Sequence, residues 1–238
     1  MQLMTRATRV TAVAASLALL APSLATADQV ADPRAAAAPS TLVTASARTA
    51  PLKALGRLRI KGRAPKTGYS RAQFGTAWAD VDHNGCSTRQ DILRRDVVHA
   101  TYSGCKVTSG TWTDPYTGIT YTLTSFSSLD GDHVVSLSDA WQKGAQGWTA
   151  GKRLQFANDP LNIVMTVAAV NRQKSDSDAA SWLPPDRSYR CAFIARQVAV
   201  KRKYGVWVTR AEYGTMRRIL RSRSCARTRL PSASARAR

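Results

Sequence analysis

Residues 129–137 read LDGDHVVSL and residues 162–174 read NIVMTVAAVNRQK. Each combines an apolar run that favours a β-strand with polar side chains that can do chemistry. A further strand is predicted within residues 116–126, where Tyr and Leu alternate with Thr. The second stretch ends in NRQK, which predicts a helix that starts at Asn171 and is ended by the prolines at 184–185.

Two more helices are predicted near the C-terminal end of the chain. Residues 188–204 carry apolar side chains at helical spacing and are followed by Gly205. Thr209 and Glu212 form a capping box that opens a second helix, running to about Leu220. Strands in the middle of the chain and helices at its end predict an α+β fold.

The four cysteines are expected to form two disulfides if the chain is exported. Four cysteines allow three pairings, and the sequence alone does not choose among them. If the two C-terminal helices lie antiparallel, Cys225 returns towards Cys191, which favours the pairs Cys191–Cys225 and Cys86–Cys105. A zinc site built from these cysteines is disfavoured, because no C-x-x-C spacing occurs.

The two ends of the chain differ in composition from its middle. Residues 1–27 combine two arginines, an apolar run and an Ala-x-Ala site, which is typical of a secretory signal peptide. Residues 28–66 are rich in Ala, Ser and Pro and are interpreted as a linker or pro-segment, and residues 223–238 as a basic disordered tail. One folded domain is therefore predicted over residues 67–222, in a secreted, extracellular protein without a membrane span.

Composition narrows the classes of protein further. The chain of 238 residues is 44% hydrophobic, which allows a packed core and excludes disorder throughout. Its 35 Lys and Arg against 15 Asp and Glu give a formal charge of +20, and about two-thirds of it lies in the flanks, outside residues 67–220. This charge favours a polyanionic partner, but it does not distinguish DNA from RNA, teichoic acid or anionic lipid.

Two of the three histidines directly follow an aspartate, in the pairs Asp82-His83 and Asp132-His133. Neighbours in a strand point to opposite faces, so Asp132 and His133 serve one site only at a strand end or turn, and Gly131 is expected to supply the bend. Taken alone, such a pair is more typical of a turn Asp beside a strand His. Two asparagines and a lysine downstream favour catalysis instead.

Five residues in a fixed order carry a resemblance to a known family, the HNH (ββα-metal) endonucleases: Asp132, His133, Asn162, Asn171 and Lys174. Trp78, the segment Cys-Ser-Thr-Arg at 86–89 and Trp-Leu-Pro-Pro at 182–185 make the chain similar to small secreted bacterial members, over about residues 68–222. The resemblance implies a ββα-metal (HNH) core with added helices. It also implies hydrolysis of phosphodiester bonds with one divalent metal.

The same resemblance implies a role for each residue. His133 would be the general base that takes a proton from the attacking water, and Asn162 would fix its ring. Asp132 and Asn171 would hold the ion, expected to be Mg²⁺, with Mn²⁺ or Ca²⁺ as alternatives. Three cations are assigned to the phosphate contacts: Lys174, Arg172 and Arg89.

The expected function is therefore that of an HNH endonuclease with low sequence specificity, because no module for sequence readout is visible. DNA is favoured over RNA as the substrate, and no protein partner is indicated. One alternative is a noncatalytic cationic protein that binds nucleic acid or cell-wall polymer. Another is a calcium-stabilised structural domain, because residues 80–85, DVDHNG, match the first half of a calcium loop, although an Asx-rich turn is favoured there.

Overall fold

The structure is a computed structural model that describes residues 49–237. The predicted signal peptide and residues 28–48 of the predicted linker lie outside the described residues. No helix within 49–237 combines the length and the apolar character needed to cross a bilayer.

The helices of this range are α1 (Ala50–Leu55), α2 (Thr88–Asp96), α3 (Leu137–Gln142), α4 (Ala150–Ala157), α5 (Ala168–Lys174), α6 (Arg190–Tyr204) and α7 (Arg210–Leu220). The strands are β1 (Val98–Ser103), β2 (Lys106–Thr113), β3 (Thr120–Leu123), β4 (Leu129–His133) and β5 (Ile163–Val167).

The strands form two antiparallel sheets, one in the order β1-β2-β3 and one of β4 paired with β5. The β4–β5 register is unbroken from Leu129 opposite Val167 to His133 opposite Ile163. Gly131 therefore supplies no bend, contrary to the expectation. Because the strand is regular, the side chains of Asp132 and His133 lie on opposite faces of the sheet.

The β4–β5 sheet lies between two hydrophobic clusters. Ile163 and Met165 of β5 belong to a cluster with α2 and the three-stranded sheet. Val164, between them, belongs to the larger cluster that contains α6 and α7. Burial on both faces explains why β5 is apolar except at Thr166, whose buried hydroxyl donates to Asp114.

The C-terminal helices agree with the prediction. Gly205 ends α6 with a φ of 76°, in the left-handed conformation that glycine adopts without a steric penalty. Both hydrogen bonds of the Thr209–Glu212 capping box are present at the start of α7. The two disulfides are Cys86–Cys105 and Cys191–Cys225, so the mixed α+β fold with two disulfides is confirmed.

Several predicted boundaries were wrong. The extended run expected at residues 134–135 lies beyond the end of β4 at His133, and only Thr120–Leu123 of the expected strand at 116–126 is a strand. Helix α5 begins at Ala168, directly after β5, rather than at Asn171. It ends at Lys174 because Ser175 has a φ of 52°, a conformation that breaks a helix.

The folded unit extends beyond 67–222 at both ends. On the N-terminal side, Leu55 of α1 is fully buried in the larger cluster, so residues from α1 onward are part of the fold rather than a linker. On the C-terminal side, the backbone N–H of Ala237 donates to Asp96 at 3.2 Å. The Arg196 guanidinium donates to the carbonyl of Ala235 at 2.8 Å. The expected disordered tail is thus packed against α2 and α6 as far as residue 237.

Candidate active site

The predicted site residues lie on one unit of two strands and a helix. β4 pairs with β5, and α5 follows β5 without a loop and contacts both strands. The chain between the two strands contains α3 and α4. The side chains of this unit form two sets, one on the face of β4 that meets α5 and one on the opposite face.

His133 is the last residue of β4 and is anchored on the face away from α5. Its Nε2 lies 2.7 Å from the carbonyl oxygen of Ala157, at the end of α4. A carbonyl can only accept a hydrogen bond, so we assign the proton to Nε2 and the lone pair to Nδ1. The ring is 8% exposed and borders a small cavity that Arg71 and Trp78 also line.

The environment of His133 keeps its imidazole neutral. Burial lowers the pKa of His133 to about 4, and the positive charges of Arg71 and Lys174 act in the same direction. The bond to the Ala157 carbonyl opposes this shift but does not cancel it. At neutral pH the ring is therefore uncharged and keeps a lone pair at Nδ1, while the same shift makes it a weaker base than a free imidazole.

Asn162 is fully buried and acts on the backbone around His133 rather than on its ring. Its Oδ1 accepts from the N–H of Val135 at 3.0 Å. Its Nδ2 donates to the carbonyls of Val135 and Phe156, both at 3.3 Å. Phe156 precedes Ala157, so Asn162 holds the two backbone segments between which the His133 hydrogen bond is made.

Asp132 faces α5 and is paired there with Lys174. The Lys174 ammonium lies 2.8 Å from Asp132 Oδ1 and also donates to the carbonyl of His133 at 2.9 Å. The Tyr116 hydroxyl donates to Asp132 Oδ2 at 2.5 Å. Burial raises the pKa of Asp132, whereas Lys174 and Tyr116 lower it. Lys174 is fully buried in this arrangement, so it is not placed to meet a phosphate.

Asn171 contacts a different aspartate from the one expected. Its Nδ2 donates to Asp130 Oδ2 at 3.1 Å, and within residues 49–237 no hydrogen bond joins it to Asp132. Asp130 and Asp132 are two residues apart on β4, so their side chains lie on the same face of the strand. Asn171 and Lys174 are three residues apart on α5, so their side chains lie on the same face of the helix. The spacing of Asp130 and Asp132 was visible in the sequence, but only the helix register shows which aspartate meets Asn171.

Of the three expected phosphate ligands, only Arg172 is exposed and unpaired within the described residues. Arg89 Nη2 donates to the carbonyls of Phe126 and Leu129, at 2.7 and 3.0 Å. Its guanidinium also lies 5.4 Å from the centroid of the Trp78 ring. Arg89 thus connects α2 to β4 and has a structural role here.

The segment at 76–79 lies over β4 beside His133. Trp78 has a φ of 61°, and its ring packs directly on Gly131, so closely that a Cβ at position 131 would overlap it. Asn158 holds this segment by accepting from the N–H of Ala79 and donating to the carbonyl of Thr76, both at 3.0 Å. Gly131 therefore provides room for an indole rather than a bend.

The loop at 80–85 has the hydrogen bonds of an Asx turn. Both oxygens of Asp80 accept backbone N–H groups, from Asn84 at 3.1 Å and from Gly85 at 2.9 Å. The loop is joined to the three-stranded sheet by the Cys86–Cys105 disulfide. Within residues 49–237 no group of three His, Cys, Asp or Glu side chains is arranged to hold a metal.

Comparison with known proteins identifies the family. Residues 87–219 match the family described as GmrSD restriction endonucleases, C-terminal domain. An uncharacterized secreted protein of Arthroderma benhamiae (strain ATCC MYA-4681 / CBS 112371) is 39% identical over 169 residues, which cover 70% of this chain and 81% of the relative. That relative is fungal and so does not support the bacterial group expected from the resemblance. No solved structure matches the chain. Because the family match spans more than half of the chain, the protein belongs to the family of GmrSD restriction endonuclease C-terminal domains, a nuclease family.

Proposed function

We propose that the protein is a secreted, metal-dependent endonuclease of the HNH type, with β4, β5 and α5 as its ββα-metal core. The observation that carries the proposal is the state of His133, whose neutral ring is held through Nε2 while Nδ1 keeps its lone pair. Membership of a nuclease family supports the activity. Two disulfides and the secreted relative support an extracellular site of action.

In this mechanism His133 is the general base. Its Nδ1 takes a proton from a water molecule while the water oxygen bonds to phosphorus, and the bond from phosphorus to the 3′-oxygen breaks. The leaving 3′-oxygen takes a proton from solvent water, and the products carry a 5′-phosphate and a 3′-hydroxyl. Asn162 is a positioning residue, because it fixes the backbone that carries the acceptor of the Nε2–H bond.

The residues on the α5 face fit a hard divalent cation, with Mg²⁺ as the expected ion. Asp130 and Asn171 are neighbours and are partly exposed, and Asp130 would offer a carboxylate oxygen, whereas Asn171 would have to turn its amide so that Oδ1 replaces the Nδ2 that now donates to Asp130. Asp132 would join them after exchanging its contact with Lys174 or Tyr116. The base and the cation lie on opposite faces of β4, so they could act on one phosphate only where the strand ends, at His133. A cation bound on the α5 face would there supply Lewis-acid stabilisation of the charge that develops on the phosphate and on the leaving oxygen.

The test is a nicking assay on supercoiled plasmid with Mg²⁺, with EDTA, and with a matched pair of variants. We expect His133→Asn to lower the rate at least 100-fold, the scale of a lost general base. His83→Asn is the control, because His83 also follows an aspartate but lies in the exposed turn at 80–85. Thermal melts of both variants report whether they fold.

Three outcomes of this assay would contradict the proposal. Equal rates for wild type and His133→Asn would remove His133 as the base. Unchanged cleavage in EDTA would remove the metal. Binding of plasmid without any cleavage by the wild-type protein would favour the noncatalytic cationic protein. Parallel assays with single-stranded DNA, duplex DNA and RNA test the preference for DNA, and discrete bands from a long duplex under limiting enzyme would contradict low sequence specificity.

A further inference from the structure

A small cavity opens on the side of β4 that carries His133, and Arg71 stands at its edge. The cavity is also lined by Phe74, Trp78 and Ala157, and its walls come from the 3₁₀ turn at Arg71–Phe74, the segment after it, β4, α3 and α4. Apart from His133 itself, Arg71 is the only basic residue of the lining. A substrate phosphate that approached His133 from this side would meet the Arg71 guanidinium.

The Arg71 side chain is exposed, and no hydrogen bond or ion pair engages it within residues 49–237. This distinguishes it from two cations that the sequence pattern assigns to phosphate. Arg89 is bonded to two backbone carbonyls, and Lys174 is buried against Asp132. A cation without an internal partner keeps its full capacity for an external anion.

The backbone that carries Arg71 is held firmly although the side chain is not. Phe74 ends the same 3₁₀ turn, is 1% exposed, and packs with ring centroids 6.4 Å from Trp141 and 6.1 Å from Phe156. The carbonyl of Gln73 accepts a hydrogen bond from Arg153 at 2.7 Å. The Cα of Arg71 is therefore fixed relative to His133, and only side-chain rotamers have to be ordered when an anion binds.

We infer that Arg71 binds the phosphate that undergoes attack at His133, as a bidentate guanidinium contact to its non-bridging oxygens. This inference rests on the proposed function and deepens it by naming the group that holds the substrate. Arginine suits the task because its planar fork matches two oxygens of a phosphate and its charge does not titrate in the physiological range. Nothing in the local sequence singles out Arg71, because its closeness to His133 arises only in the folded chain.

Binding is measured first, in a form of the protein that does not cut. In the His133→Asn background, the affinity for a fluorescein-labelled duplex oligonucleotide is determined by anisotropy at several salt concentrations. We expect Arg71→Ala to weaken binding about tenfold and Arg71→Lys to weaken it less. The slope of log affinity against log salt concentration should become shallower by the amount that one phosphate contact contributes. Arg202→Ala, an exposed arginine in the last turn of α6, is the control for loss of one charge.

Cleavage kinetics in the otherwise wild-type chain separate this inference from the proposed function. We expect Arg71→Ala to raise KM for plasmid about tenfold, with a smaller fall in kcat, while Arg202→Ala changes neither more than twofold. Equal effects of Arg71→Ala and Arg202→Ala, or no effect of either, would overturn the role of Arg71 and leave the nuclease proposal standing. Absence of cleavage by the wild-type protein would instead overturn the nuclease proposal. Because the side chain is exposed, the melting temperature of Arg71→Ala should match that of wild type, which excludes misfolding as the cause.

Discussion

At the scale of single residues, the burial of His133 links its chemistry to the stability of the protein. Its pKa is lowered to about 4 in the folded state, whereas an unfolded histidine titrates near 6.5. Between these values the unfolded chain binds the proton more tightly. The free energy of unfolding is therefore expected to fall as the pH drops from about 6.5 to about 4, by an amount on the order of 3 kcal/mol.

Urea unfolding at about pH 7 and about pH 4.5 checks this prediction. The His133→Asn variant does not titrate at this position, so it should lose less stability than wild type over the same interval. If both proteins lose the same amount, other groups control the acid response and the pKa of His133 is not depressed.

Gly131 leads to a second prediction at this scale. A Cβ at position 131 would overlap the Trp78 ring, so Gly131→Ala is expected to destabilise the fold by roughly 1–3 kcal/mol, the range for overpacking. Trp78→Leu in the same chain should recover part of the loss, because the smaller side chain leaves room. Melting temperatures of the two single variants and the double variant form the cycle, and strictly additive losses would contradict a direct contact.

The sequence was enough to predict that the adjacent residues Asp132 and His133 belong to the site. It was not enough to predict which residues they contact in the folded protein. The sequence pointed to Asp132 and His133, yet it did not show that Asp132 pairs with Lys174 or that Asn171 lies on Asp130. These pairings depend on the register of α5 against β4, and that register is set three residues earlier than Asn171, at the end of β5. A local sequence pattern can therefore show which residues belong to a site, but their hydrogen-bond partners depend on how the helix packs against the strand.

At the scale of secondary-structure elements, the pairing of α5 with β4 depends on the buried bond between Lys174 and Asp132. Asp132→Ala removes the carboxylate and leaves the ammonium buried without its partner. We expect a loss of about 3–5 kcal/mol in the free energy of unfolding, measured with urea. Asp130→Ala should have a much smaller effect on stability, because Asp130 is only partly buried.

The same pair of variants separates stability from metal binding. Asp130→Ala should weaken Mn²⁺ binding, followed by titration calorimetry or by the electron paramagnetic resonance of free Mn²⁺, by about tenfold or more. If Asp130→Ala binds Mn²⁺ as tightly as wild type, Asp130 is not a ligand, and the site has to be formed by Asp132 after it leaves Lys174.

Elements with a local signal were predicted well, and those without one were not. The start of α7 was visible because Thr209 and Glu212 make both capping bonds within four residues. Strand β2 was not predicted, because half of KVTSGTWT is Thr or Ser and its apolar residues do not alternate regularly. Strand β1 was missed although VHATYS alternates apolar and polar residues, and its pairing with β2 is interrupted by register shifts. Their positions depend on α2 and on the β4–β5 sheet, against which Val107 and Trp112 pack.

At the scale of the whole molecule, a cluster of six charges, five of them buried and Arg63 at its exposed edge, connects distant parts of the chain. Lys143, at the end of α3, lies 2.6 Å from Glu212 of α7 and 2.8 Å from Asp178. Lys201 of α6 bonds the same Glu212 at 2.8 Å. With Asp139 and Arg63 the cluster has three cations and three anions, so its formal charges cancel in the interior. Glu212, whose presence the capping box alone could explain, thus also joins three helices.

The C-terminal segment is expected to contribute to stability although its composition suggests a disordered tail. Removal of residues 228–238 takes away one backbone partner of Asp96 and two of Arg196, and we expect the melting temperature to fall on the order of 5 °C. Nicking should persist at temperatures where the shortened chain is folded. As a control, Arg227→Ala with Arg229→Ala removes charge but keeps the backbone contacts, and it should leave the melting temperature nearly unchanged. An unaltered melting temperature after truncation would show that these contacts add nothing.

The contact between Trp78 and Gly131 also restricts which sequences can share this fold. The indole occupies the space in which a side chain at position 131 would lie, so the two positions cannot both be large. Among related chains, a bulkier residue at the position of Gly131 should occur only where the position of Trp78 has become smaller. The residues at these two positions are therefore expected to covary, although the positions are far apart along the chain and belong to different segments.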